Sequence, residues 1–170
     1  MKISRVFQDK VIESEDEFTY HTTTKIDTKM KSLSEYTFAK VDQKFIEHLE
    51  QGVYHNQEFL TKPLLLSWGA YTDFLNKSIA YVAIYQNKIV SVIIGTARYH
   101  NIIAIDIKTE EQHRMKGLAY ELTQRFVNEC VDNNLVAHWN CVDSNIASKK
   151  TAEKAGFLYI KKKPYFWFNI

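Results

Sequence analysis

The sequence is poor in the residues that interrupt regular secondary structure, with five glycines and two prolines among 170 residues. Their scarcity predicts regular helices and strands joined by short connections. The sequence also lacks internal repeats and low-complexity linkers, which argues against solenoid and array architectures. A chain of 170 residues is long enough for one domain with a substantial core.

Cysteine is scarce as well, and neither Cys130 nor Cys141 stands in the spacing of a metal site. The six histidines contain no H-x-x-x-H pair, so the sequence indicates no metal. Because two cysteines without a disulfide framework are typical of a reducing compartment, we expect a cytoplasmic protein.

Charge of one sign is not in excess, since 22 lysines and arginines balance 20 aspartates and glutamates. This balance argues against nucleic acid and anionic membrane as partners. No apolar run is long enough to span a bilayer, and the N-terminus lacks the layout of a signal peptide. The one basic run, residues 161–163, precedes Pro164 and is interpreted as a solvated turn, with an anion or nucleic-acid contact as the alternative.

Hydrophobic periodicity predicts a mixed sheet flanked by helices. Two hairpins are expected, one around the turn at residues 86–88 and one around residues 162–164. The predicted strands cover residues 18–24, 36–41, 79–85, 89–96, 102–108, 135–140, 157–160 and 165–170. Helices are predicted between Asp42 and Gly52, over residues 64–75, over residues 117–133, and from an N-cap at Asp143 or Ser144 to Gly156.

The segment 114–119, Arg-Met-Lys-Gly-Leu-Ala, joins a predicted strand to the longest predicted helix. Main-chain N–H groups point into such a turn, and the dipole of the helix favours negative charge there. A side chain at Gly117 would block the close approach of a phosphate to the backbone. The segment therefore predicts a ligand that carries a pyrophosphate.

Two motifs of the chain resemble those of the GNAT acetyltransferases. The first family pattern is Q/R-x-x-G-x-G/A, and the second is N-x-x-A-(x)5-K-x-G-F. The matching residues are Arg114, Gly117 and Ala119 for the first pattern, and Asn145, Ser148, Lys154, Gly156 and Phe157 for the second. The resemblance implies an α/β (α+β) fold with a mixed, mostly antiparallel sheet of six or seven strands. About four helices should flank this sheet, which should splay in the middle for CoA.

Within that family, the chain is most similar to the zwittermicin A-resistance subgroup over residues 35–170. The similar positions are Trp68, Phe74, Leu75, residues 88–91, Thr109, residues 117–119, Trp139, Cys141 and residues 152–157. We therefore expect residues 35–170 to form the acetyltransferase domain. Residues 1–34 are expected to be an N-terminal extension that contains one strand and has no assigned role.

The resemblance implies acetyl-CoA as the co-substrate and no metal. The pantetheine arm is expected along Ile107 and Thr109, with Asn145 and Ser148 on the opposite wall. Lys149 is expected either near the nucleotide phosphates or in solvent. The pyrophosphate is expected on the main-chain amides of Arg114, Met115, Lys116, Gly117, Leu118 and Ala119.

For the chemistry, the resemblance implies direct acetyl transfer to an amine in a ternary complex. The main-chain N–H of Ile107 is the implied donor to the oxyanion. Asp106, the carboxylate of the central strand, is the candidate base; the alternative is that it faces solvent or caps a bulge next to the loop. Many members carry a catalytic tyrosine where this chain has Ala152, so the candidate acids are Cys141, Tyr159 and Tyr120, each with a packing role as the alternative.

The acceptor is expected to be a small-molecule amine, such as an antibiotic or a metabolite. Two alternatives stay open: acetylation of a protein N-terminus or lysine, and a non-catalytic acyl-CoA-binding module. The aromatic residues 165–168 are interpreted as a buried strand, with a homodimer interface or an acceptor wall as alternatives.

Overall fold

The computed structural model describes residues 11–27 and 33–168 of the chain. The strands are β1 (Glu13–Thr22), β2 (Thr37–Lys40), β3 (Ala80–Tyr85), β4 (Lys88–Tyr99), β5 (Ile102–Thr109), β6 (Val136–Val142) and β7 (Leu158–Trp167). The helices are α1 (Gln43–Glu50), α2 (Glu58–Trp68), α3 (Tyr71–Lys77), α4 (Leu118–Asp132) and α5 (Ile146–Lys154), with a 3-10 turn at Glu111–His113.

All seven strands belong to one sheet in the order β2-β3-β4-β5-β6-β1-β7. Every neighbouring pair is antiparallel except β5 and β6, which are parallel. The expected mixed, mostly antiparallel sheet is therefore confirmed. It is flanked by five helices among the described residues, where about four were expected.

Helices cover the sheet on both faces, because the buried side chains of the strands alternate between two apolar clusters. On one face Leu122 and Phe126 of α4 pack with Ile103 of β5. On the other face Phe45 of α1 and Leu64 of α2 belong to the second cluster. A two-sided apolar sheet needs this double cover to remove both faces from water.

Strand β1 lies inside the sheet, between β6 and β7. It contains three residues of the predicted alternation, Phe18, Tyr20 and Thr22, and ends before the fourth, Thr24. Tyr20 is buried in the cluster that also contains α4. The boundary between an extension and a domain at residue 34 stays a prediction, and residues 1–10 and 28–32 of that part of the chain lie outside the described residues.

Several local predictions are confirmed by the structure. The Asp42 carboxylate accepts a hydrogen bond from the N–H of Phe45 at 2.9 Å, which is the expected N-cap of α1. The turn between β3 and β4 places Gln86 and Asn87 at φ of 48° and 61°, the left-handed pair of a tight hairpin.

The predicted helix over residues 64–75 is wrong, because the structure has two helices there. α2 ends at Trp68, and α3 begins at Tyr71. Gly69 between them has a φ of 74°, which a continuous helix cannot contain. The change of direction lets Leu64 and Phe74 enter the same cluster from two helices.

The predicted N-cap of the last helix is also wrong. Neither Asp143 nor Ser144 caps α5; instead the side chain of Asn145 accepts a hydrogen bond from the N–H of Ser148 at 3.1 Å. Asp143 is engaged in an ion pair with Lys149 at 2.7 Å. The predicted end of this helix at Gly156 is confirmed by its φ of 78°.

The predicted C-terminal hairpin is a single strand, β7, which pairs with β1 along its length. Pro164 stands within it opposite Asp16, as an edge strand allows. The basic run is therefore not a turn: Lys162 pairs with Asp16 at 2.6 Å, and Lys163 pairs with Glu17 at 2.9 Å.

The interpretation of residues 165–168 as a buried strand is wrong as well. Tyr165 and Phe166 are 46% and 43% exposed, since β7 has a neighbour on one side only. The alternatives of a dimer interface or an acceptor wall stay predictions. Residues 169–170 of the predicted strand lie outside the described part of the chain.

Candidate functional site

The sheet divides between β5 and β6, as the resemblance implied. These strands pair at three positions, from Ile102 with Val136 to Ala104 with His138. Beyond Ala104, β5 continues to Thr109 along β4, while β6 continues to Val142 along β1. The two strands therefore turn unpaired main-chain edges toward each other, which is a surface that an extended ligand can bridge with strand-like hydrogen bonds.

A cavity of about 620 Å³, here called the α4 cleft, opens at this division. Its walls come from the end of β5, the turn before α4, the first turn of α4, Trp139 of β6, and α5. Nine of the ten residues predicted to bind the cofactor line it: Ile107, Thr109, Arg114, Met115, Gly117, Leu118, Ala119, Asn145 and Ser148. The tenth, Lys116, does not line the cleft and has its ammonium 5.7 Å from the ring of Tyr36.

The turn before α4 presents main-chain donors to this cleft. Gly117 is the N-cap with a φ of 95°, and Met115 also lies in the left-handed region at 61°. The first bond of the helical ladder runs from the N–H of Glu121 to the carbonyl of Gly117 at 3.1 Å. The N–H groups of Leu118 and Ala119 come before that bond, so they have no acceptor within the helix. Together with the helix dipole, these N–H groups favour the binding of an anion.

Two cations of α5 that were not predicted to bind the cofactor face the same cleft. Lys150 and Lys154 line it, whereas Lys149 pairs with Asp143 and lies 4.0 Å from the ring of Phe18. The hydrogen bond to Asp143 raises the pKa of Lys149. Helical spacing could have found this face, since residues 147, 150, 151 and 154 follow the i, i+3, i+4, i+7 pattern.

The opposite wall is organised by the N-cap of α5. The Oδ1 atom of Asn145 accepts from the N–H of Ser148, so its NH₂ group is the part that can donate to a ligand. The hydroxyl of Ser148 in turn accepts from the Trp139 indole at 2.9 Å. These bonds tie the helix to β6 and hold the wall in place.

The three predicted catalytic residues lie outside the lining of the α4 cleft. Asp106 is exposed on β5, and Tyr159 is 54% exposed on β7 beside the rings of Phe18 and Tyr20. Cys141 is buried on β6, and burial raises the pKa of its thiol against the smaller opposing effects of Ser148 and Lys149. Cys141 is therefore a neutral thiol at neutral pH, and all three assignments stay predictions.

Tyr120 and His113 also line the α4 cleft. Tyr120, a candidate acid, is 6% exposed and lies 4.9 Å from the ammonium of Lys154. His113 is buried in the turn before α4, where its Nδ1 atom is 3.0 Å from the hydroxyl of Tyr36. Both side chains help to close the base of the cleft.

A second cavity, of about 360 Å³, is lined by residues of β1, β4, β5, β6 and β7 and is here called the histidine cavity. On β6, Ala137 and Trp139 point toward α4 and α5, so His138 between them points to the other face of the sheet. Its Nδ1 atom lies 2.7 Å from the Nε2 atom of His21 on β1. No sequence pattern indicates this pair, because its members are 117 residues apart.

The histidine pair predicts that the protein loses stability in mild acid. Burial lowers the pKa of His21, and the charge of Lys161 adds a smaller effect in the same direction. Burial also lowers the pKa of His138, with a smaller contribution from His21, while Asn140 and Glu17 act in the opposite direction. The unfolded chain binds protons at about pH 6.5, where the folded pair stays neutral, so stability should fall as the pH drops below that value. The check is the melting temperature between about pH 7.5 and pH 5.

The matched control for this prediction is the double variant His21→Gln, His138→Gln. Its melting temperature should depend less steeply on pH than that of the wild type, because two low-pKa groups are gone. Equal slopes for the two proteins would contradict the assignment.

Over residues 11–27 and 33–168, no helix is long and apolar enough to cross a membrane. The same part of the chain contains no cluster of three or more side chains that could hold a metal ion.

A sheet that divides between two parallel strands, with a helix N-terminus at the opening, defines the acetyltransferase fold expected above. The model of the GNAT acetyltransferase family matches residues 1–166, and the chain belongs to that family. Among curated proteins, it is 33% identical over 90 residues to the uncharacterized N-acetyltransferase YdfB of Bacillus subtilis (strain 168). That match covers 53% of this chain and 34% of YdfB.

Solved structures share the fold at low sequence identity. A GCN5-related N-acetyltransferase-like protein from Streptococcus suis 89/1591 has a TM-score of 0.74 at 20% identity, over 98% of this chain and 66% of that one. A GNAT-family acetyltransferase from Colwellia psychrerythraea has a TM-score of 0.60 at 12% identity, over 99% of this chain and 61% of that one. The chain thus spans about a third of its curated relative and 66% of the Streptococcus protein.

Proposed function

We propose that the protein is a cytoplasmic N-acetyltransferase that moves the acetyl group of acetyl-CoA to a primary amine of a small molecule, by direct transfer in a ternary complex. The observation that carries the proposal is the α4 cleft. The cleft combines two unpaired strand edges, which suit an extended arm, with the N–H groups at the start of α4, which suit a phosphate. A single long ligand can occupy both. Membership of the GNAT family supports the same chemistry.

In this proposal each wall of the cleft binds one part of acetyl-CoA. The pyrophosphate lies at the main-chain amides of residues 114–119, where Gly117 lets it approach the backbone. The pantetheine arm follows the free edge of β5 at Ile107 and Thr109, with Asn145 and Ser148 across from it. Lys150 and Lys154 supply positive charge for the phosphates.

The chemistry requires a donor for the oxyanion and a path for the proton of the amine. The N–H of Ile107 stays the proposed oxyanion donor. Asp106 as base, and Cys141 or Tyr159 as acid, stay predictions. A thiolate is a tolerable leaving group, so the reaction does not depend on an acid at the position of Ala152. The proposed membership of residues 35–170 in the zwittermicin A-resistance subgroup, which rests on the sequence positions given above, is the reason for proposing a small-molecule acceptor.

The first test is stabilisation by acetyl-CoA. We expect thermal unfolding to shift upward with acetyl-CoA and with free CoA, but much less with ATP, which lacks the pantetheine arm. A ligand at a hundredfold excess over its Kd adds about 2.7 kcal/mol to the free energy of unfolding. Release of free thiol in the presence of an amine panel then measures turnover.

Neighbouring lysines of α5 provide the matched control. Lys150→Ala should weaken the shift, because Lys150 lines the cleft, whereas Lys149→Ala should leave it unchanged, because Lys149 pairs with Asp143. Binding without turnover of any amine would favour the non-catalytic module. Turnover of a peptide N-terminus or lysine alone would favour the protein acetyltransferase, and absence of any shift would refute the proposal.

A further inference from the structure

The histidine cavity lies beside the point where the sheet divides, at the last residue pair before the strands of the α4 cleft separate. Ala104 and His138 form the last pair between β5 and β6, and both line the histidine cavity. Beyond that pair the strands separate to form the α4 cleft. A thioester held between the separating strands therefore has the histidine cavity on the other face of the sheet. This location rests on the proposed binding of acetyl-CoA in the α4 cleft.

The lining of this cavity is mainly apolar. Ala97 and Tyr99 come from β4, Ile102 and Ala104 come from β5, and Ile160 comes from β7. Its volume of about 360 Å³ accommodates a small organic molecule. Such a lining favours an amine with an aliphatic or aromatic group over a strongly hydrated one.

The His21–His138 pair provides a proton acceptor in either tautomer. The distance of 2.7 Å between His138 Nδ1 and His21 Nε2 means that one ring donates a proton and the other accepts it. Two neutral imidazoles share two protons among four ring nitrogens. The contact between the rings uses one proton and one lone pair. The two outer nitrogens, His138 Nε2 and His21 Nδ1, therefore retain one proton and one lone pair between them. One outer nitrogen of the pair therefore always carries a lone pair that can accept a proton.

The surroundings keep the pair neutral. Burial lowers the pKa of both rings, and the cationic side chains of Lys161 and Lys163 on β7 act in the same direction on His21 and His138 respectively. Asn140 on β6 and Glu17 on β1 oppose this effect at His138. Thr19, which also lines the cavity, donates to the Oδ1 atom of Asn140 at 2.9 Å. A neutral imidazole pair can accept a proton near neutral pH.

We propose that the histidine cavity binds the acceptor amine and that the His21–His138 pair takes up its proton. An ammonium group gives one proton to the free ring nitrogen, and the lone pair that remains on the amine forms the C–N bond with the thioester carbon. The C–S bond breaks, and sulfur leaves with the electron pair. The sulfur then takes the second amine proton, the third stays on the amide nitrogen, and the pair returns its proton to solvent.

Lys161 defines the class of the acceptor further. Its neighbours Lys162 and Lys163 are paired with Asp16 and Glu17, whereas among the described residues Lys161 has no carboxylate partner and lines the cavity. An unpaired ammonium at the wall attracts a carboxylate and repels a second cation. The acceptor is accordingly an apolar monoamine that carries a carboxylate, such as an apolar amino acid, rather than a diamine.

The test uses the full chain and three probes: L-leucine, 3-methylbutan-1-amine, which is leucine without its carboxylate, and the diamine putrescine. L-leucine should shift the NMR resonances of the His21 and His138 rings, which single His→Gln variants assign. It should also be acetylated fastest, and Lys161→Ala should remove its advantage over 3-methylbutan-1-amine. Failure of all three probes to shift the ring resonances overturns the cavity assignment, whether or not acetyl-CoA binds.

The catalytic part is tested by kcat and its pH dependence. His138→Gln and His21→Gln should each lower kcat by about 10²-fold, with the KM for acetyl-CoA unchanged. We expect the kcat of the wild type to fall in mild acid and that of both variants to stay level, when each is measured well below the melting temperature of the protein at that pH, so that acid-sensitive stability does not contribute. The exposed His55, which lines neither cavity, provides the control His55→Gln.

Two further variants keep the inference falsifiable. Ala97→Leu fills the cavity from an exposed position, so it should raise the KM for the amine while leaving the thermal shift with acetyl-CoA intact. A loss of turnover in Asp106→Asn that neither His138→Gln nor His21→Gln shows would assign the proton to the carboxylate and overturn the inference. If acetyl-CoA neither binds nor turns over, the proposed function fails, while the ring shifts with L-leucine still decide the cavity.

Discussion

Gly117→Val is expected to abolish the stabilisation by acetyl-CoA without unfolding the protein. The φ of 95° at this position is costly for any residue with a Cβ, and most costly for a β-branched one. Valine would pull the turn out of the left-handed region, and the N–H groups of Leu118 and Ala119 would lose their common direction. About 2.7 kcal/mol of ligand-dependent stability at a hundredfold excess over Kd should disappear.

The control for this variant is Gly52→Val. Gly52 has a φ of 73° after α1, and a Cβ placed there meets nothing within 4 Å. Gly52→Val therefore imposes a backbone strain similar to that of Gly117→Val, but at a position that does not line the α4 cleft. Both variants should melt somewhat earlier than the wild type, but only Gly117→Val should lose the thermal shift. An undiminished shift in Gly117→Val would refute the location of the pyrophosphate.

Gly95→Ala is expected to destabilise the fold by about 1–3 kcal/mol through overpacking. A Cβ at Gly95 would lie 2.5 Å from Ile103 Cδ1 and 2.5 Å from Ser78 Oγ. The backbone cannot easily retreat, because the Gly95 carbonyl accepts hydrogen bonds from the Trp68 indole at 2.7 Å and from the Ser78 hydroxyl at 2.6 Å. Urea unfolding of the variant and the wild type measures this loss of unfolding free energy, provided that the two proteins have the same m-value.

A double-mutant cycle with Ile103→Val tests the cause of this destabilisation. Ile103→Val removes Cδ1 and alone should cost about 0.5–1.5 kcal/mol. The two substitutions together should cost less than the sum of the single variants, by at least about 0.5 kcal/mol, since the truncated side chain makes room for the new methyl group. The relief is partial, because Cγ1 of Ile103 would still lie 2.8 Å from the added Cβ. Strict additivity would show that the contact with Ile103 is not the source of the cost.

The features predicted correctly from sequence are those set by neighbouring residues. The N-cap at Asp42, the hairpin turn at Gln86 and Asn87, and the turn before α4 each depend on a few consecutive residues. Their hydrogen bonds and backbone angles are local, so sequence spacing is enough to predict them. For the same reason, seven of the nine predicted cofactor residues that line the α4 cleft come from two short motifs at the starts of α4 and α5, while the other two, Ile107 and Thr109, lie at the end of the preceding strand β5.

The predictions that proved wrong depend on partners far away in the sequence. Local sequence signals favour a turn at Pro164 and the lysine run, yet β1 pairs with β7 from Leu158 to Trp167. Cross-strand ion pairs such as Lys162 with Asp16 stabilise that strand, and they join residues 146 positions apart. Local propensity could not show that an edge position would accommodate the proline.

The sequence by itself determined the family of this protein and the turn that suits a pyrophosphate, because both rest on closely spaced residues whose geometry the chain sets locally. Tertiary structure decided where β5 and β6 part and brought His21 beside His138. Insertion of β1 between β6 and β7 produced that contact. The physical reason is that strands pair through main-chain hydrogen bonds, which any residue except proline can donate. The side chains therefore specify which distant segments pair only through the packing of the whole sheet.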